Sequence, residues 1–156
     1  MAADSIPHFV VDHMLGRLVT WLRLLGCDTL YAGAAADAEI ARIAQRDRRI
    51  VLTRDRELAR RKSIKTILIA SEKLDEQLAQ VIRDCGLRID DLSPRCPLCN
   101  GLLANLPRAE AEGRVPPYVF QTQERFLICS VCGHIYWQGT HWQRMQKRLA
   151  NVISGE

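Results

Sequence analysis

The chain has 156 residues, is 47% hydrophobic and 26% charged, and carries a formal net charge of +4. That composition is globular rather than disordered, and the length suits one domain, or one domain of about 100 residues with a small appended module. No apolar run approaches the roughly 20 residues that span a bilayer, and the opening "MAADSIPHFVVD" lacks a basic segment followed by an apolar one, so a soluble, cytoplasmic protein without a signal peptide is expected.

Up to about Asp91 the chain alternates short apolar runs with amphipathic segments. "HFVV" reads as a first strand. Leu15, Leu18, Val19, Leu22 and Leu25 then recur at three- and four-residue spacing, the stripe of a helix closed by Gly26. "CDTLYA" reads as a second strand, and "DAEIARIAQRD" as a helix with Asp37 at its N-terminal edge. "RIVLT" is a third strand, "RDRELARRK" a short helix, and "TILIA" a fourth strand. "SEKLDEQLAQVIRDCG" is a helix expected to be capped by Ser71 and stopped by Gly86.

Strand and helix alternating in this way predict an α/β fold with a mainly parallel sheet covered on both faces. Ligands of such sheets sit beyond the carboxyl ends of the strands, which directs attention to Asp12, just after "HFVV", and Asp55, two residues beyond "RIVLT". No glycine-rich phosphate loop follows the first strand, which argues against a nucleotide cofactor. From Arg42 to Lys65 there are ten Lys or Arg against three acids, a patch suited to a polyphosphate or equally to solvated helix faces.

From Pro94 the pattern changes. Four of the six cysteines form two C-x-x-C pairs, Cys96 with Cys99 and Cys129 with Cys132. Two residues between sulfurs let a tight turn aim both thiolates at one tetrahedral ion, and two such knuckles complete a four-thiolate Zn2+ site without an open position, a structural rather than catalytic centre. The 29 residues between the pairs predict hairpin strands with an extra loop around "AEAEGRVPP". Cys27 and Cys85 read as buried thiols. Trp142, Met145, Leu149, Val152 and Ile153 predict a terminal helix. The expected organisation is therefore one domain over residues 7–92 and a zinc ribbon with a C-terminal helix over 93–154.

Phosphodiester hydrolysis near neutral pH needs an activated water and neutralised charge on the leaving oxygen, which Mg2+ or Mn2+ held by carboxylates supplies. Asp12, Asp37 and Asp55 fit by position, although each also has an ordinary reading as a helix cap or first-turn acid.

"FVVDHMLGRLVTWLRLLG", "DAEIARIA", "RIVLTRDREL", "RCPLCNG", "VPPYV" and "CSVCGHIYWQGTHWQRM" together resemble the Mut7-C RNase domain family, from about Phe9 to Met145 and in the same order. The resemblance implies a PIN-like fold with a C-terminal zinc ribbon and metal-dependent ribonuclease activity, with Asp12, Asp37 and Asp55 as the catalytic acids that hold Mg2+ or Mn2+. It further implies that Thr53, Arg54, Arg17 and Arg23 line the site toward RNA. Arg56, in the same basic segment, would help position the substrate. Asp75 or Glu76 would serve as a fourth acid only if the last helix of the sheet aimed its start at the site. His141 of "YWQGTHW" reads as a general acid, a packed and hydrogen-bonded side chain, or a base-stacking group. The alternative to an enzyme is a non-catalytic RNA- or ribosome-binding module whose zinc ribbon and basic patch bind RNA and whose acids are caps.

Overall fold

The computed structural model describes residues 6–88 and 93–154, apart from the side chain of His141. The expected boundary at 92/93 and the first five residues of the opening segment lie outside the described residues or at their edge. Contacts divide the chain into two compact units, one ending at Asn100 and one beginning at Gly101.

The first unit is built from β1 (Phe9–Asp12), α1 (Gly16–Leu25), β2 (Thr29–Gly33), α2 (Asp37–Asp47), β3 (Ile50–Thr53), α3 (Arg56–Ala59), β4 (Thr66–Leu68) and α4 (Leu74–Cys85). A single 3-10 turn, His13–Leu15, joins β1 to α1. The four strands are parallel in the order β2-β1-β3-β4, with Phe9, Val10 and Val11 of β1 opposite Ile50, Val51 and Leu52 of β3. Because side chains alternate across a strand, Val10 and Val51 share one face, and there they pack with Ile40 and Ala44 of α2 and Leu58 of α3. Phe9, Val11 and Leu52, fully buried, take the other face, on the side of α1 and α4, which contact one another. The result is a three-layer α/β unit of the kind the alternating pattern predicts.

Helix ends follow local chemistry. Gly26 takes φ +102° after α1, and its N–H and that of Cys27 close on the carbonyls of Arg23 and Leu22. The last helix departs from expectation at its start. Lys73, not Ser71, is the N-cap residue of α4, and the Ser71 hydroxyl instead accepts the Lys73 N–H at 2.9 Å, forming a turn one step earlier.

The second unit contains β5 (Leu103–Leu106), α5 (Arg108–Ala111), α6 (Pro117–Thr122), β6 (Phe126–Cys129), β7 (Ile135–Trp137) and α7 (Thr140–Ser154). Its strands are antiparallel in the order β5-β6-β7. The segment expected to be a loop, "AEAEGRVPP", instead supplies parts of two short helices. Ala111 and Val115 from this segment, with Val119 just beyond it, are buried together with Leu106 and Phe126, so the insertion contributes to the small core of this unit. Among the described residues, no helix is long and apolar enough to cross a membrane.

Candidate active site and metal centre

The sheet order reverses at β1: its sequence neighbour β2 lies on one side and β3 on the other. Such a reversal opens a crevice beyond the carboxyl ends of the two central strands, where connections leave in opposite directions. A cleft of about 260 Å³ lies there, lined by Asp12, His13, Met14, Ala34, Ala35, Asp37, Ile40 and Asp55. Its volume is below the roughly 300–1,000 Å³ of pockets for drug-sized ligands, and suits a phosphate group and small ions better than a nucleotide cofactor.

The three sequence-predicted aspartates thus share one cleft, each placed by a different element. Asp12 ends β1 and is 4% exposed. Its Oδ1 accepts the Met14 N–H at 3.0 Å, capping the 3-10 turn, and its Oδ2 accepts the Thr53 hydroxyl. Asp55 is the N-cap of α3, with Oδ1 accepting the Glu57 N–H at 2.8 Å. Asp37 is the first residue of α2 rather than its cap, which is Ala36, and its carboxylate has no hydrogen-bond or ion-pair partner among the described residues. The capping readings of Asp12 and Asp55 therefore hold alongside their place in the cleft. Among the described residues the acidic trio does not form a set with one oxygen of each within 4.8 Å of the others; the four paired cysteines do form such a set.

The remaining sequence-predicted site residues divide. Thr53 is fully buried: its hydroxyl bonds Asp12 and accepts the Asp55 N–H at 2.9 Å, so it braces the two acids instead of lining the site. Arg23 corrects the expectation of a phosphate-facing guanidinium. It is 9% exposed, and its Nε and Nη1 donate to the carbonyls of Thr29 and Pro97 at 3.0 and 2.9 Å. Arg17 and Arg56 are exposed on α1 and α3. Arg54 reaches toward β4's end, 3.5 Å from the Ala70 carbonyl and 3.6 Å from a Glu72 carboxylate oxygen. Asp75 and Glu76, in the first turn of α4, are not among the cleft-lining residues.

The sulfurs of Cys96, Cys99, Cys129 and Cys132 lie within 4.8 Å of one another, positioned to bind a metal ion. The N–H groups of Val131 and Cys132 each point to Cys129 Sγ at 3.4 Å, the turn that directs backbone donors at a thiolate. A Cβ on Gly101 would lie 2.8 Å from Cys129 Sγ, so only glycine lets the chain pass there. Cys27, by contrast, is fully buried away from this set, and burial pushes its thiol up to about 12. Cys85 is half-buried rather than buried, and its thiol is likewise raised by burial.

Sequence reasoning missed the network that holds the first knuckle within its unit. Asp28, after α1, accepts from Arg49 at 2.9 Å and from the Asn100 amide at 2.6 Å, with Arg95 3.9 Å away. Asn100 takes φ +71°, and its Oδ1 receives the Thr29 N–H at 3.0 Å. Burial alone would raise the Asp28 carboxyl; the hydrogen bonds of Arg49 and Asn100 and the charges of Arg49 and Arg95 outweigh it and hold the group below its usual range.

A parallel α/β unit with three acids lining a cleft at its strand-order reversal, together with four cysteines positioned to bind a metal ion, defines the chain as an α/β protein with a cysteine metal site. Residues 7–149 match the family model of the Mut7-C RNAse domain, and the chain belongs to that family. Comparisons with curated proteins and with solved structures each found no match.

Proposed function

We propose that the chain is a divalent-metal-dependent ribonuclease that hydrolyses RNA phosphodiester bonds in the cleft of Asp12, Asp37 and Asp55. One observation carries this reading: three carboxylates, from the end of β1, the start of α2 and the start of α3, line a single phosphate-sized cleft in a chain of an RNAse domain family. The donor set is all oxygen and anionic, which suits Mg2+ or Mn2+. When bound, such an ion supplies a more acidic water and offsets charge on the departing oxygen.

The protein's own part is positional. Thr53 fixes the rotamer of Asp12 and the backbone at Asp55, which keeps two of the acids in register across adjacent strands. Asp37 carries no competing bond among the described residues, and Asp55 uses only Oδ1 in its cap, so both have oxygens available to a cation. The exposed Arg17 and Arg56 are available to phosphates, as is Arg54 if its weak contacts yield. The thiolates of Cys96, Cys99, Cys129 and Cys132 would hold Zn2+ with no open position, a structural role. The expected location is the cytoplasm, where thiols stay reduced for metal binding.

The test is cleavage of single-stranded and structured RNA with and without EDTA, repeated for Asp12→Asn, whose side chain preserves the cap. Equal activity of variant and parent rejects the mechanism. A second reading, an RNA- or ribosome-binding module without turnover, is favoured by the capping bonds of Asp12 and Asp55 and by the spread of the trio beyond 4.8 Å. It requires salt-sensitive RNA binding with no cleavage and no stabilisation by Mn2+.

A further inference from the structure

A second groove, of about 410 Å³, lies at the opposite end of α2 from the aspartate cleft. It is lined by Gln45, Arg48 and Arg49 at the helix C-terminus and by Ser63, Ile64 and Lys65 ahead of β4. The 11 residues of α2 separate the two, about 16 Å at the rise of an α-helix. Exposed cations lie at this groove, on α3 and along the segment that follows it, whereas the charges of α2 itself, Asp37, Glu39 and Asp47 against Arg42 and Arg46, nearly balance. Arg48, Arg56, Arg60, Arg61, Lys62 and Lys65 are exposed, and none has an acidic partner among the described residues, whereas the neighbouring Arg42 and Arg46 are paired with Glu39 and Asp47.

Two details set this groove apart from a merely solvated helix face. Arg48 sits at φ +53°, ψ +51°, a left-handed conformation that favours glycine or asparagine. A long cation in that place is conformationally less favourable than Gly, which would cap α2 better. Arg49 forms the wall, its side chain nine-tenths buried. Its Nη1 is engaged by Asp28, but its Nε has no hydrogen-bond partner, with the Asp47 carboxylate 3.8 Å away. That Nε is screened from solvent, so the cations that an oxyanion in the groove can meet are the exposed Arg48 and Lys65.

We propose that this groove is a phosphate-binding exosite for single-stranded RNA, and that the strand entering the aspartate cleft continues along α2 to be held by Arg48 and Lys65. The site deepens the ribonuclease reading, since it assigns the path of the same substrate. It binds backbone phosphates, so it adds affinity for long strands without sequence preference, and it leaves the chemistry at the cleft unchanged.

The experiment uses the full chain with its zinc and compares a dinucleotide with a single-stranded RNA of about twelve nucleotides, a length within the range of single-strand binding sites. Binding is measured in EDTA, over a salt series, for the parent, Arg48→Glu/Lys65→Glu and Arg48→Gly. The expected result is that the double variant loses about tenfold in affinity for the long RNA, with a salt slope shallower by about 1.4, while dinucleotide binding is unchanged. Arg48→Gly is expected to raise Tm and yet weaken long-RNA binding, a combination that a purely structural Arg48 does not produce. Equal losses for both lengths, or no loss for either, overturn the exosite. Competition by polyglutamate as strong as by RNA of equal charge also overturns it, by making an acidic protein the better occupant. Cleavage of the dinucleotide in Mn2+ is followed separately: its absence counts against the catalytic cleft, while the length dependence in EDTA still decides the groove.

Discussion

Thr53 and Asp12 meet across adjacent parallel strands, the buried Thr53 hydroxyl donating to Asp12 Oδ2 while its own oxygen, Oγ1, accepts the Asp55 N–H. One small polar side chain therefore determines where two of the three cleft acids stand. Its burial next to apolar neighbours makes both bonds costly to lose, because Asp12 Oδ2 and the Asp55 N–H each have no other described partner, the Met14 N–H being held by Oδ1.

Replacing Thr53 with Val keeps the β-branched shape and deletes the bridge. The expected cost is about 1–3 kcal/mol of stability from the unsatisfied groups. RNA cleavage is expected to fall by about 10²-fold, because the acids lose their fixed geometry. Thr53→Ser is expected to restore most of both. Thermal melts alongside cleavage rates check this; a Val variant with parental cleavage would show that Thr53 supports only the fold.

The parts of this architecture that could be read in sequence share one property: they are local. The strand–helix alternation, the Gly26 stop, the two C-x-x-C pairs and the acids just after β1 and β3 all lie within short windows. What was hidden depends on distant partners. Asn100 reaches Asp28 from 72 residues away, and no periodicity announces that contact. Arg23 looked like a surface cation because its type is usually exposed, but the Pro97 carbonyl brought to it by the first knuckle makes burial affordable. The helices α5 and α6 were obscured by Gly113, Pro116 and Pro117, although the four-residue spacing of Ala111, Val115 and Val119 was present in the sequence.

The Asp28 network gives a pH signature. Its carboxyl is held below the usual value, about 3.9, so it binds protons less readily folded than unfolded. Its contribution is therefore complete above that unfolded value and is lost as pH falls through the lower folded one. Denaturation of the parent and Asp28→Asn across acid pH is expected to show a stability gap that is constant near neutrality and closes below about pH 4. A gap that persists undiminished at lower pH would assign the effect to packing rather than charge.

Metal removal separates the cysteines by role. A strong chelator under denaturant-free conditions is expected to release zinc, lower Tm and expose Cys96, Cys99, Cys129 and Cys132 to a thiol reagent. Cys27, fully buried with its thiol raised to about 12, is expected to stay unreactive until global unfolding. Zinc analysis before and after treatment, with the kinetics of thiol labelling, checks this. Rapid labelling of Cys27 in the metal-loaded protein would contradict its placement.

Asp37 offers the cleanest separation of a cation site from a set of helix caps, because it caps nothing and has no described partner. As a first-turn acid its charge is worth about 0.3–1 kcal/mol to α2, so Asp37→Asn is expected to leave metal-free stability nearly unchanged. A cation bound in the cleft stabilises the folded state by RT ln(1 + [L]/Kd), about 2.7 kcal/mol at 100 Kd. The parent is therefore expected to show a saturable rise in Tm with Mn2+ in the absence of RNA, and Asp37→Asn to lose most of that rise together with cleavage. A variant that retains the full Mn2+ response would place the ion elsewhere and leave Asp12 and Asp55 as caps alone, whereas a variant destabilised equally with and without Mn2+ would make Asp37 a structural residue of α2.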